Sequence, residues 1–347
     1  TALALWMRDR YGSTAVQALR TVLPFREQAP PKKKRQLVLT VSREKATGQL
    51  AVFRQKHQVA RARLLEALIE TPVLPMELVT GSLKVTPSVW RPMEEMGLLI
   101  CETEQIYRVP AVLKELQSQM QQRSDPNESE QNTLHLNPSQ QYAVDTICTN
   151  WEKQAGRYLL FGVTGSGKTE FNLAVVQRTR EIGKGAIILV PEIALTPQMV
   201  RWFHSRFGEN TAVLHSRLTD GQRYDEWRRI RSGQARVVVG ARSAIFAPVD
   251  KLGLIVIDEE HEQTYLSDKH PRYDARRVAK QRCENEGATL ILSSATPSIL
   301  SFAMARRGDY TLVEMPRRVG NRPLPQVTVV DMRRELEAGN RSIFSAL

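Results

Sequence analysis

The stretch Gly162-Val-Thr-Gly-Ser-Gly-Lys-Thr169 constrains this chain more than any other feature of its sequence. It follows the apolar run at residues 158–161 and precedes a helical pattern that starts near Lys168. That is the strand, loop and helix context that a GxxxxGK[ST] pattern requires. Glycines there let backbone N–H groups close around phosphate oxygens, and the dipole of the following helix adds positive potential. Gly162, Thr164, Gly165, Ser166 and Gly167 then form the cradle, Lys168 reaches the β- and γ-phosphates, and the Thr169 hydroxyl ligates Mg²⁺. The expected cofactors are ATP and Mg²⁺.

Such a loop needs a parallel sheet around it, and the sequence offers one. Short apolar runs at residues 158–161, 186–190, 212–214, 237–239, 254–257 and 289–292 alternate with helical patterns. Runs this short, bounded by turn residues, read as buried strands with helices on both faces. The run at 254–257 delivers Asp258, Glu259 and His261 at its C-terminal end, where open parallel sheets bind ligands. Asp258 is placed to hold Mg²⁺, directly or through water, and Glu259 is the candidate base for an attacking water. Alone, an acidic turn after a strand is as well read as a solvated loop; the phosphate loop upstream gives it a role. Gln140, heading a helical pattern before the loop strand, can pair its amide with an adenine edge. The plain alternative is a surface glutamine. Ser294 and Thr296 place hydroxyls at the same sheet edge.

Composition bounds the partners. Lys and Arg total 49 against 37 Asp and Glu, giving a net charge of +12, which favours an anionic polymer or surface. Charge alone does not choose among DNA, RNA and anionic lipid. No run approaches the roughly 20 apolar residues of a membrane span, and the first residues lack a signal-peptide pattern, so no membrane and a cytoplasmic location are expected. The chain opens on Thr1 in mid-pattern, which suggests a piece of a longer protein. Cys101, Cys148 and Cys283 are far apart and form no CxxC pair, so they read as ordinary thiols.

With 347 residues, two or three domains are expected. Residues 1–35 read as a helical remnant followed by a Pro-rich basic linker at 28–35. Residues 36–114 show three helical patterns, at 59–70, 75–80 and 87–96, then a β-hairpin of 98–101 with 106–109. That order suits a winged helix, whose third helix, with Lys84, Trp90 and Arg91 nearby, either enters a DNA groove or packs on neighbours. Residues 115–133 read as a flexible linker, since a segment so polar cannot offset its ordering entropy. The α/β lobe spans 134–326, and 327–347 begins another strand-and-helix unit.

Gln140, the GSGKT loop, PEIALTPQ at 191–198, GARS at 240–243, DEEH at 258–261 and SSAT at 293–296 resemble, in order, the first RecA-like lobe of a superfamily 2 helicase. The spellings at 190–198, His215-Ser216, 256–261, Tyr265, 271–276 and 317–322 resemble more narrowly the primosomal helicases of replication restart. The likeness is strong over 134–347 and looser over 1–113, and the family carries Thr where this chain has Ala241. It implies an α/β fold, a RecA-like P-loop NTPase lobe with a parallel sheet, preceded by a winged-helix domain and a helical stub that ends a 3′-end-binding domain. It also implies ATP-driven 3′-to-5′ unwinding at forks, in the bacterial cytoplasm at the nucleoid. Expected partners are branched and single-stranded DNA, primosome proteins and single-stranded DNA-binding protein.

By that resemblance Pro191, Thr196, Gln198, Arg242 and Ser243 line the single-strand path, where turn and cap chemistry is the plain alternative. Residues 262–276 match an aromatic-rich coupling loop, in which Tyr265 and Tyr273 stack on bases while Lys269, Arg272 and Arg276 hold backbone. His261 relays between nucleotide and loop, or is merely structural. Ser294 and Thr296 link the γ-phosphate state to the nucleic-acid side. Family members also have a second lobe with arginine fingers and a cysteine-rich zinc region; neither falls in this sequence, so zinc is expected only there and the chain alone should be weakly active or inactive. Rival readings are another superfamily 2 translocase, RecG-like or of the restriction type, and a DNA- or protein-docking module with a vestigial nucleotide pocket.

Overall fold

A computed structural model of the chain describes residues 2–23, 32–106, 108, 136–149, 151, 155–321 and 327–345. The linker expected at 115–133 lies outside the described residues, as does the first half, 28–31, of the basic linker at 28–35.

The larger sheet has seven strands, all parallel, in the order β10 (Thr311–Met315), β4 (Arg157–Gly162), β9 (Thr289–Ser294), β8 (Leu252–Ile257), β5 (Gly185–Leu189), β7 (Val237–Gly240) and β6 (Thr211–Leu214). Every residue of β5, β6, β7, β8 and β9 is buried. That burial is why these strands read as unbroken apolar runs. Successive side chains leave on opposite faces. Ile187, Leu189, Ile255, Ile257, Leu290 and Leu292 join one core, and Ala186, Ile188, Leu254, Val256 and Ile291 join the other.

The second core is covered by α7 (Pro138–Cys148), α8 (Lys168–Glu181) and α9 (Pro197–Phe207), which contribute Ile147, Phe171 and Phe203. The first is covered by α10 (Asp220–Arg231) and α11 (Ala275–Glu286), with α12 (Ile299–Arg306) packed beside them. The amino-terminal helices α1 (Ala2–Tyr11) and α2 (Ala15–Val22) belong to this face too, through Ala4, Met7 and Ala18. The expected stub therefore does not stand apart. The Tyr11 hydroxyl accepts from the Asp274 backbone N–H at 3.3 Å, and Trp6 meets Tyr11 edge to face.

Two expectations for this region need correction. Strand β10 escaped notice because its burial alternates with exposure along an edge, so the apolar run is broken. Residues 327–331 form no strand, and Val327 and Val329 are exposed; only the helix α13 (Met332–Glu337) follows.

Residues 32–106 build a separate core from Leu37, Phe53, Leu64, Leu65, Leu68, Trp90, Met93 and Leu99. The helices α4 (Val59–Glu70), α5 (Met76–Gly81) and α6 (Pro87–Glu95) match the three patterns, and α3 (Arg43–Gln55) adds a fourth. The turn expected between 101 and 106 does not form, and Tyr107 and Val109 lie outside the described residues. Leu99–Ile106 is one strand, β3, paired antiparallel with β1 (Lys32–Leu39), which in turn pairs with β2 (Val73–Pro75). The polar stretch from Glu102 to Gln105 suggested a turn, but in a small antiparallel sheet with one wet face such polarity fits a strand. The basic residues Lys32–Arg35 are thus strand, not linker. Trp90 is a buried core residue and cannot present its ring to a groove.

Candidate nucleotide site and adjoining groove

The parallel sheet brings its functional segments to one edge, the C-terminal ends of the strands. From β4 the chain enters the phosphate loop, where Gly165 and Gly167 take φ of +80° and +83°. Those angles favour glycine, and a side chain on Gly167 would also collide with the Gln140 amide. Helix α8 then begins at Lys168. The Lys168 side chain is 11% exposed; its Nζ donates to the Gly162 carbonyl at 3.2 Å and lies 3.5 Å from Glu259 Oε1. The two halves of the expected site therefore meet in space.

Asp258 follows the last residue of β8, with Oδ1 sealed from solvent and without a hydrogen-bond partner. Burial, reinforced by the neighbouring Glu259 charge, raises its carboxyl to about 6, and Lys168 offsets part of that rise. Ser293 lies near enough to ease the carboxylate, although its Oγ meets no hydrogen-bond geometry. The Ser166 hydroxyl inside the loop is likewise buried and unpartnered. Such a concentration of orphan polar atoms marks a place that expects ligand.

Glu259 itself has φ +44°, a left-handed conformation costly for a residue with a Cβ. Strain of this kind persists where the surroundings over-determine it. The turn aims Glu259 at Lys168 and brings its other oxygen within 3.7 Å of His261 Nδ1. That nitrogen also lies 2.8 Å from Ser294 Oγ, which in turn accepts from the Thr296 N–H at 3.0 Å. The proposed relay residue and the proposed coupling residues are thus in direct contact.

A metal fits this chemistry. Among the described residues no cluster of three His, Cys, Asp or Glu could hold an ion by itself. Mg²⁺ does not need one, since it usually takes one or two protein oxygens and completes its shell with phosphate and water. Asp258 and Thr169 are the residues that would hold it. The three cysteines are free thiols; burial pushes Cys148 up to about 12 and raises Cys283 as well, so neither is a reactive thiolate.

Gln140 behaves otherwise than expected. It is buried, its oxygen accepts the Asn137 N–H at 2.8 Å in a capping box, and its nitrogen donates to the Ser166 and Gly167 carbonyls at 3.3 and 3.1 Å. Both amide hydrogens are committed, which leaves no bidentate face for adenine. Sequence alone could have flagged the cap, because Asn137 and Gln140 stand at capping-box spacing before a helix.

Beside the nucleotide site lies a groove of about 430 Å³, lined by Glu192, Ser216, Arg242, Ser243, Thr264 and Leu266 among others. Ser243, Gln198 and Thr196 are exposed, and the Thr196 hydroxyl also caps α9; Pro191 is buried. Arg242 does not hang free in the groove. Its Nη1 donates to the carbonyls of Thr264, at 3.2 Å, and Leu266, and its guanidinium lies over the Tyr273 ring.

The aromatic loop is corrected in part. Tyr265 is 1% exposed and Tyr273 5%, so their rings belong to the core and are closed to base stacking. Arg276 pairs with Asp274 at 2.9 Å and donates to the Glu260 carbonyl at 2.8 Å, a brace for the loop. Lys269 and Arg272 remain exposed. One residue went unnoticed in the sequence: Glu260, fully buried, accepts from the Ser298 N–H at 2.6 Å and from the Ser298 and Ser301 hydroxyls, tying the acidic turn to the start of α12. Its neighbours in DEEH hid it, because carboxylates in a row do not announce which one turns inward.

Residues 133–299 match the family model described as type III restriction enzyme, res subunit. The chain is 46% identical over 252 residues to the replication restart protein PriA of Bacillus subtilis (strain 168), covering 72% of this chain and 30% of that protein. It is 34% identical to the PriA of Chlamydia pneumoniae over 347 residues, covering 99% of this chain and 45% of the relative. Among solved structures, RecG bound to a three-way DNA junction aligns over 65% of this chain and 28% of that one, at 27% identity and a TM-score of 0.43. The chain spans less than half the length of the curated relatives it matches. A parallel sheet with a phosphate loop and an acidic turn at one edge, in this motif order, makes the larger unit a RecA-like lobe of the superfamily 2 helicase class. Within that class, the chain belongs to the PriA family of replication restart proteins.

Proposed function

We propose that this chain carries the winged helix and the first motor lobe of an ATP-dependent DNA helicase that unwinds 3′ to 5′ during replication restart. The observation that carries the reading is the contact of Lys168 Nζ with Glu259 Oε1 at 3.5 Å, beside Asp258 and connected to Ser294 through His261. On this reading the triphosphate draws Lys168 from Gly162 and Glu259, and Glu259 becomes free to orient and deprotonate the attacking water. Mg²⁺, when held by Asp258 and Thr169, neutralises charge on the phosphates. His261 passes the change to Ser294 and Thr296, and so toward the groove.

On the nucleic-acid side the reading assigns phosphate contacts to Thr196, Gln198, Arg242 and Ser243, with Lys269 and Arg272 at the rim. The basic balance of +12 agrees with a polyanionic partner. Branched DNA, single-stranded DNA-binding protein and primosome proteins are the partners proposed for the intact protein, acting in the cytoplasm at the nucleoid. A second lobe with arginine fingers would close the nucleotide from the other side. Fingers of that kind contribute roughly 10³ to 10⁵ in rate, so the chain by itself should bind ATP and turn it over slowly.

The test uses the full-length protein. DNA-stimulated ATP hydrolysis and unwinding of 3′-tailed and 5′-tailed duplexes are measured for wild type and Lys168→Ala. Hydrolysis that survives the substitution ends the motor reading, and preferential unwinding from the opposite tail ends the proposed polarity.

A further inference from the structure

The chain leaving β10 turns back over the phosphate loop. The Val163 N–H donates to the Met315 carbonyl at 3.2 Å, and the Val319 N–H donates to the Gly165 carbonyl at 2.9 Å. Between these ties lies Arg318. Its Cγ and Cδ stand 3.8 and 3.9 Å from the point a Cβ on Gly165 would occupy, so the side chain runs along the open flank of the loop. Val319 closes on Gly167 in the same way, with Cγ2 at 3.1 Å. Strand β10 adjoins β4 on the side away from β9 and β8. The phosphate loop is therefore flanked by the carboxylates of the β8 turn on one side and by a guanidinium on the other.

Arg318 is unusual in its hydrogen bonding. Its Nε is buried and has no partner, and no ion pair holds the guanidinium among the described residues. A buried donor left unmade is costly and calls for an explanation. Arg318 lies against Gly165 of the phosphate loop, where a bound phosphate would supply the missing acceptor. The planar fork of arginine suits bidentate contact with phosphate oxygens.

We propose that Arg318 is a polyphosphate-binding residue of the nucleotide site, working from the β10 side of the loop while Lys168 works from within it. The proposal rests on the nucleotide reading given above and adds a residue to it. Arg318 supplies the acceptor-less fork, bound phosphate supplies the missing acceptors, and the Val319 tie to Gly165 makes the position of the fork depend on the shape of the loop.

The experiment is calorimetric titration of this chain with Mg-ATP and with inorganic tripolyphosphate, for wild type, Arg318→Ala and Arg318→Lys. Loss of a charge-assisted contact should weaken ATP and tripolyphosphate alike, each on the order of tenfold to a hundredfold. The lysine variant should recover part of the loss, and the melting temperature of the nucleotide-free chain should stay within a degree or so of wild type. Arg318→Ala that binds tripolyphosphate as wild type does overturns the proposal, whether or not ATP binding changes. A drop in ATP affinity matched by loss of stability in the empty chain also overturns it, by making Arg318 a brace for the loop. Wild-type chain that binds neither ligand removes the nucleotide reading itself, and the Arg318 role with it.

Discussion

The Tyr265 hydroxyl lies 2.5 Å from the carbonyl oxygen of Asp258 and 3.1 Å from that of Leu189, one proton serving two strand ends. The aromatic loop is thereby bonded to the backbone of Asp258, whose carboxylate is the one proposed to hold the metal. The buried Tyr265 ring takes no part in stacking; its hydroxyl ties the loop to the ends of β5 and β8.

Tyr265→Phe tests the size of that bond. The ring stays buried and only the hydroxyl is lost, so the expected destabilisation is about 1–2 kcal/mol. Thermal melts should show a fall of a few degrees. Unchanged melting would show that the hydroxyl contributes nothing to holding the strand ends together.

Asp258 makes stability depend on pH in a direction opposite to that of most carboxylates. In the folded chain it keeps its proton up to about 6, whereas an unfolded Asp releases it near pH ~4. The stabilisation is complete below ~4 and is lost as pH rises through the folded value, a change of at most about 3 kcal/mol. Asp258→Asn, which stays neutral, should therefore melt above wild type at pH 8 without metal or nucleotide, and the two curves should converge toward pH ~4. A variant less stable than wild type at pH 8 would contradict the burial argument.

Gln140→Ala separates two roles. As the structure has it, the residue caps α7 and ties it to the phosphate loop. Loss of that double contact should cost about 1–2 kcal/mol of stability and weaken ATP and GTP equally. If binding of ATP alone suffers while GTP is untouched, the amide reads the base after all.

Glu259→Gly should stabilise the empty chain by about 1 kcal/mol, since glycine accepts the left-handed turn without strain. Hydrolysis by the full-length protein should fall at least a hundredfold if Glu259 orients the water. Denaturant midpoints and turnover, measured on the same preparations, check both halves.

The sequence made the lobe legible because its physics is local. An apolar strand feeding a glycine loop and a helix can hardly be read otherwise, and β5, β7 and β8, buried on both sides, left unbroken runs at 186–190, 237–239 and 254–257. What stayed hidden depends on which partner a residue finds in space. Strand β1 looked like a linker because its pairing with β3 spans a long stretch of chain, and β10 because an edge strand alternates. Tyr265, Tyr273, Arg276 and Gln140 are all residues whose chemistry permits ligand contact and whose surroundings turned that chemistry inward. Side-chain type sets what a group can do, whereas burial decides what it does it to.

Arg242 reaches its groove already engaged with two carbonyls of the loop and a tyrosine face. Both carbonyl bonds use Nη1, so the rest of the fork keeps N–H groups for an anion that enters there. Arg242 and Tyr265 hold one loop from two sides, the first through the Thr264 and Leu266 carbonyls and the second through the Asp258 carbonyl. A ligand that drew Nη1 away would loosen that loop, whereas one that met only the remaining N–H groups would leave it fastened.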